Sequence, residues 1–225
     1  MNFHIMTLFP GMMNTIFSES IFGRAVKSGA VDVNLYNIRD YSLDKHRKVD
    51  DTPYGGGYGM VMTCQPIVDC HKAVLQNTVG SVRTIYLSPQ GRVFNQKIAE
   101  ELTAYDNIVL LCGHYEGVDE RAIELVADEE LSIGDYVLTG GELPAAIVCD
   151  AVARLCEGVL PSAECYEDES LQDGLLEYPQ YTKPYEFAGL TVPDVLLSGH
   201  HANIEKWRRE QSLIRTKQKR PDLLQ

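Results

Sequence analysis

The chain has no apolar tract long enough to cross a bilayer, so no membrane partner is expected. Its start, Met1 to Met6, lacks the basic region and small-residue cleavage site of a secretory signal. There is no CxxC pair. The six cysteines, at 64, 70, 112, 149, 156 and 165, stand at irregular spacings, mostly inside apolar runs. That pattern predicts buried free thiols rather than disulfides or zinc ligands, and with them a reducing, cytoplasmic setting. A phosphate-cradling GxxxxGK is missing, and no GxGxxG opens a helix; in Gly55-Gly-Gly-Tyr-Gly59 the third glycine is replaced by Met60. GxSxG and HExxH are absent too, which removes the common esterase and zinc-peptidase readings.

What is present is an ordinary globular composition of 225 residues, enough for one or two domains with a real core. The net charge of −12 is unevenly spread. Residues 116–178 hold 17 acids against two bases, whereas His200–Arg220 hold seven Lys/Arg against two Glu. A basic face for nucleic acid is therefore compatible with an acidic whole, although a solvated helix would look the same. Residues 1–158 alternate strand and helix patterns. Strands are expected at Asn2–Phe9, Val31–Ile38, Arg83–Leu87, Ile108–Cys112 and within Ile133–Leu138. Helices are expected around Met13–Lys27, Gln65–Gln76, Asn95–Thr103, Val118–Val126 and Leu143–Cys156. Near-continuous apolar strands between helices predict an α/β fold with a parallel sheet covered on both faces. Residues 159–173 are acidic and aperiodic, as in a flexible linker. In the remainder, 174–225, a helix over Asn203–Lys217 should bury Ile204, Trp207, Gln211 and Ile214 and expose Lys206, Arg209 and Lys217.

Three glycine turns follow strands: Tyr86-Leu-Ser-Pro-Gln-Gly91, Cys112-Gly-His-Tyr-Glu-Gly117 and Leu138-Thr-Gly-Gly-Glu-Leu-Pro144. In a parallel sheet all three emerge at the carboxyl end, where open α/β folds bind ligands. With no phosphate motif, the ligand should be read by backbone amides, apolar walls and a few carboxylates. S-adenosylmethionine fits, and Tyr115, Tyr136, Glu116 and Asp135 could favour its sulfonium cation. Taken singly, such residues are more often buried tyrosines and solvated acids.

Longer segments narrow the choice: Arg39-Asp-Tyr with His46-Arg-Lys-Val-Asp-Asp-Thr-Pro-Tyr54, Cys112 to Glu124, Ile133 to Ala145, Gly174 to Pro184, and Pro193 to Leu213. In these the chain resembles the bacterial tRNA (guanine-N1)-methyltransferase family of the TrmD type over essentially its whole length. The resemblance implies a trefoil-knotted SPOUT-type domain, a small mainly helical C-terminal tRNA-binding domain, and a homodimer with its active site between subunits. It implies methyl transfer from S-adenosylmethionine to N1 of the guanosine just 3′ of the anticodon, tRNA position 37. Gly113 and Ile133, Gly134, Asp135, Tyr136, Val137 and Leu138 match the family's cofactor-binding residues. Tyr86, Leu87, Ser88, Pro89, Tyr115, Glu116, Gly117, Gly140, Gly141 and Pro144 should line the same pocket. Asp50, Gly59 and Glu116 are expected at the guanine edge. Members use Mg²⁺, yet no metal-ligand spacing is recognisable here.

Guanine N1 carries a proton at neutral pH, so methyl transfer needs a base, and a cation near O6 would ease its task. The resemblance assigns the cation to Arg154, which could otherwise form a helix-surface pair with Asp150. At the family's linker aspartate this chain has Glu169, with Asp168 as rival. A different RNA target for the same fold, or RNA binding without catalysis, would fit the same elements.

Overall fold

A computed structural model describes residues 1–161, 170–171 and 174–224. They fall into two compact units, Met1–Pro161 and the chain from Ser162 onward. Among the described residues no helix is long and apolar enough to cross a membrane.

The first unit is built on a five-stranded sheet, ordered β2-β1-β6-β5-β7 and parallel at each pairing. Its strands are β1 (Asn2–Thr7), β2 (Asp32–Asn37), β5 (Val82–Val93), β6 (Asn107–Cys112) and β7 (Glu129–Ser132). The central strand β6 reads Asn-Ile-Val-Leu-Leu-Cys and is buried at every position. Alternation sends Ile108, Leu110 and Cys112 to one face with Phe3, Ile5 and Ile85. Val109 and Leu111 reach the other face with Met6 and Tyr86. Helices α1 (Pro10–Phe17), α2 (Ser20–Ser28), α4 (Gln96–Leu102) and α6 (Glu142–Ala153) cover the first face. Helices α3 (Cys64–Gln76) and α5 (Glu120–Val126) cover the second. A short antiparallel pair, β3 (Asp50–Asp51) and β4 (Val61–Met62), stands beside the sheet.

Three local expectations change. The helix expected around Met13–Lys27 is two helices, broken at Ser18–Glu19, with Ser20 at φ 57°. Gly23 then packs on the Ser18 carbonyl, where no Cβ fits. Strand β5 runs past Leu87, and its pairing with β7 jumps from Leu87 to Arg92, so the first glycine turn is a bulge within one strand. Gly91 returns the chain over the Glu130–Leu131 backbone. Finally, β7 ends at Ser132, and Ile133–Gly141 is loop rather than strand.

In the second unit a two-stranded hairpin, β8 (Glu186–Phe187) and β9 (Leu190–Thr191), precedes the 19-residue helix α7 (His201–Lys219). Ile204, Trp207 and Gln211 are partly buried and Lys206, Arg209 and Lys217 exposed, as the periodicity predicts. Ile214, however, is 46% exposed while Ser212 and Thr216 are buried. The cause is polar: Thr216 Oγ1 donates to the Ser212 carbonyl at 2.7 Å and accepts from Leu176 N at 2.8 Å. The Arg208 guanidinium lies over the Tyr178 ring at 4.6 Å, which also ties the 174–184 segment to the helix.

Candidate active site

The three glycine segments do converge at the carboxyl end of the sheet. They enclose a cleft of about 280 Å³, a little below the usual range for small-ligand pockets. Its floor is Tyr86 at the end of the regular part of β5, 8% exposed. Burial, then the nearby charges of Glu130 and Glu120, push its hydroxyl up to about 12, so it is neutral and available as a donor. Gly113 lies directly over this ring; a Cβ there would stand 3.0 Å from Tyr86 Cε2 and Oη. The bulge is held by Gln90 N donating to Ser88 Oγ at 3.1 Å.

The second turn reverses at Tyr115, φ 61°, and at Gly117, φ 126°, a value L residues rarely adopt. Gly117 N closes it on the His114 carbonyl at 3.1 Å. In the third segment Ser132 Oγ exchanges hydrogen bonds with Gly134 N and O, at 3.2 and 3.1 Å, and Gly134 takes φ 140°. That geometry throws the chain out of the sheet and leaves Tyr136 and Val137 as exposed apolar surface on the cleft wall. The segment then returns: Gly141 N donates to Gly113 O at 2.9 Å, and Gly140 bridges to His114.

Beneath this return lies a carboxylate that sequence reasoning missed. Glu142, in the first turn of α6, is 4% exposed and accepts from Thr7 Oγ1 at 2.7 Å. Its other oxygen and His114 Nδ1 both crowd the space a Cβ on Gly140 would need, at 2.5 and 2.7 Å. His114 Nδ1 is buried without a hydrogen-bond partner among the described residues. The adjoining Cys112 thiol is raised well above its ordinary range, first by burial and then by the Glu142 charge.

Of the residues expected to bind cofactor, Tyr86, Leu87, Ser88, Pro89, Gly113, Tyr115, Glu116, Gly117, Ile133, Gly134, Tyr136, Val137, Leu138, Gly140, Gly141 and Pro144 line the cleft. Asp135 does not; it is exposed on the same loop. Gln90, His114, Leu131, Ser132 and Thr139 line it unanticipated. His114 and Thr139 lay inside the glycine motifs, so their position alone could have flagged them.

A family model described as tRNA (Guanine-1)-methyltransferase TrmD matches residues 1–225, the whole chain. The chain belongs to this family. It is 60% identical to the tRNA (guanine-N(1)-)-methyltransferase of Ruminiclostridium cellulolyticum over 99% of this chain and 96% of the relative. Similar proteins of the same name occur in Lachnospira eligens, 59% identical over 99% and 94%, and in Clostridioides difficile, 55% identical over 99% and 97%.

In this member of the tRNA (guanine-1)-methyltransferase family, two of the expected guanine contacts lie together. Gly59 packs so closely on the Glu116 side chain that a Cβ would collide with it. Glu116 N donates to Met60 O at 3.0 Å and Met62 N to Gly117 O at 2.9 Å, anchoring β4 to the second turn. Asp50 faces Met62 across the β3–β4 pair. Arg39 Nη2 donates to Tyr115 Oη at 3.2 Å on the same side. Arg154 is elsewhere. It caps the C-terminus of α6 and lines a separate hollow with Ile16, Phe17, Phe22 and Asp150. Glu169 and Asp168 lie outside the described residues. Among the described residues no group of three or more His, Cys, Asp or Glu could hold a metal ion, so the Mg²⁺ expectation finds no site there.

Proposed function

We propose that the chain transfers a methyl group from S-adenosylmethionine to N1 of the guanosine next to the anticodon, tRNA position 37. The observation that carries this reading is the cleft itself, in which three amide-rich bends face apolar walls and the neutral Tyr86 hydroxyl. Bound there, S-adenosylmethionine would supply an electrophilic methyl on a sulfonium centre. The work left to the protein is to make guanine nucleophilic. Glu169, with Asp168 as its rival, would take the N1 proton, and the Arg154 guanidinium would neutralise charge building on O6. Asp50, Gly59 and Glu116 would hold the base edge.

Within one chain Arg154 and the cleft belong to different hollows. This supports a homodimer in which one subunit's cleft meets its partner's arginine. Helices α1 and α6 offer a surface for it, since Met12, Ile16, Leu143 and Ile147 are all exposed apolar residues on them. A knotted threading is supported by the return of the third segment over the Gly113 backbone. Residues 1–158 would then be the cofactor domain, 159–173 the linker, and 174–225 the tRNA-binding domain. In that last domain Lys206, Arg209 and Lys217 on α7 would meet phosphates without reading sequence.

The test is transfer of labelled methyl groups to tRNA transcripts carrying or lacking guanosine at that position. Label confined to the first kind supports the reading; equal label on both, or none on either, overturns it. Glu169→Ala should abolish single-turnover transfer while S-adenosylmethionine still binds. Mixing Arg154→Ala and Glu169→Ala chains should restore part of the activity if each site takes Arg154 from one subunit and Glu169 from the other.

A further inference from the structure

The loop between β3 and β4 carries the two most exposed large hydrophobic side chains of the described residues. Tyr54 is 100% and Tyr58 99% exposed. Neither makes a hydrogen bond or ring contact among the described residues. An aromatic ring held wholly in water loses what burial would contribute, and a chain that does this twice in five residues is displaying the rings rather than packing them. The display is not adrift. Both roots of the loop are paired, Asp50 with Met62 and Asp51 with Val61. Tyr58 adjoins Gly59, which is seated on Glu116 of the cleft, and Glu116 N is bonded to Met60 O. Tyr58 therefore stands next to the expected guanine contacts Gly59 and Glu116, with Tyr54 four residues before it on the same loop.

We propose that Tyr54 and Tyr58 are stacking platforms for the bases flanking the target guanosine, gripping them when that nucleotide leaves its stack. The proposal rests on the methyltransferase reading above. A purine buried in an RNA stack cannot present N1 to a methyl donor, so its neighbours must be separated from it and lose a stacking partner. Two exposed tyrosines on this loop replace that partner whatever the flanking base, because every base has a π face. Lys45, Arg47 and Lys48, exposed just before the loop, lie on the same β3 side and suit the intervening phosphates, although Arg47 and Lys48 also pair with Asp40 and Asp51.

The experiment uses the full-length protein and an anticodon-arm RNA with 2-aminopurine beside the target guanosine. Tyr54→Ala and Tyr58→Ala should each weaken RNA binding and raise the KM for RNA by roughly fivefold to a hundredfold. Binding of S-adenosylmethionine should stay unchanged, which also verifies folding. Stacking quenches 2-aminopurine, so the quench seen with the wild type should shrink in the alanine variants and return in Tyr54→Phe and Tyr58→Phe, which keep the ring. Alanine variants with wild-type RNA affinity and quench would overturn the proposal. So would variants that turn dimers into monomers at unchanged RNA affinity, since the rings would then be covered by a second copy of the chain. Failure of the wild type itself to methylate RNA is a different result: it removes the function, and this role with it.

Discussion

Replacing Gly141 by alanine isolates the reason for the paired glycines before α6. Gly141 has φ −82° and ψ −3°, a conformation any L residue adopts, so backbone freedom is not what glycine supplies here. The obstacle is contact. A Cβ at this position would lie 2.7 Å from Cys112 Cα and 3.0 Å from Gly113 N, both backbone atoms at the end of the central strand. Neither can move without disturbing the sheet, so the third segment must lift away. Overpacking of this kind costs about 1–3 kcal/mol. Lifting also stretches the 2.9 Å bond from Gly141 N to Gly113 O, worth about 0.5–1.5 kcal/mol. Gly141→Ala should therefore destabilise the first unit by about 2–4 kcal/mol, a fall in Tm of roughly 4–16 °C. Calorimetry would measure it, and titration with S-adenosylmethionine should show weakened binding, because the cleft loses its third wall. The control is Gly11→Ala in α1, where nothing lies within 4 Å of the added Cβ. It should be neutral or stabilising by up to about 1 kcal/mol. A Gly141→Ala protein with wild-type Tm and wild-type cofactor affinity would refute the close-contact argument.

Thr7→Val removes the donor to buried Glu142 Oε1 and the acceptor for Phe9 N at nearly constant volume, so it should cost about 1–3 kcal/mol in urea unfolding. Asp119 caps α5 by accepting from Arg121 N and is held well below the usual carboxylate range, chiefly by hydrogen bonding from the Arg121 side chain. Since its folded-state pKa is depressed, its contribution is present above the ordinary value of about 4 and lost as pH falls through the folded value. Asp119→Ala should thus cost about 1 kcal/mol at pH 7, and urea midpoints should show a smaller gap from wild type at pH 2.5. Burial pushes the Cys70 thiol up to about 12 and raises Cys112 and Cys149 well above the ordinary range. At pH 8 these three should resist a chromogenic disulfide reagent in the folded protein and react once it is unfolded; fast reaction in the native state would contradict their burial.

The sheet was legible because its strands obey local rules. Asn107–Cys112 is apolar throughout since both faces of a central parallel strand are covered. Ile133–Leu138 looks equally strand-like and is not one. Its apolar residues line a cleft wall instead of a core, a distinction that depends on Ser132 and Gly134 turning the chain outward. The bulge in β5 was illegible for a related reason: pairing that skips from Leu87 to Arg92 is set by the neighbouring strand. The glycine segments pointed to the cleft because the five strands of the main sheet all run the same way. Glu142 was invisible, since the hydroxyl that holds it belongs to Thr7, 135 positions earlier.

Some departures from relaxed structure in the first unit lie at this cleft, while Ser20 and Arg47 take positive φ away from it. Tyr115 occupies a left-handed conformation that disfavours any side chain. His114 keeps a buried nitrogen without a partner among the described residues, and Glu142 keeps a carboxylate almost wholly out of water. Each such feature costs on the order of 1–3 kcal/mol in isolation. Glycine would relieve position 115, but an apolar residue at 142 would strip the buried Thr7 hydroxyl of β1 of its acceptor. The ring and the carboxylate have partners within the fold, Arg39 for Tyr115 and Thr7 for Glu142, whereas His114 Nδ1 has none among the described residues. Local sequence rules fail here because those partners, and the Phe9 ring that meets His114, lie far along the chain.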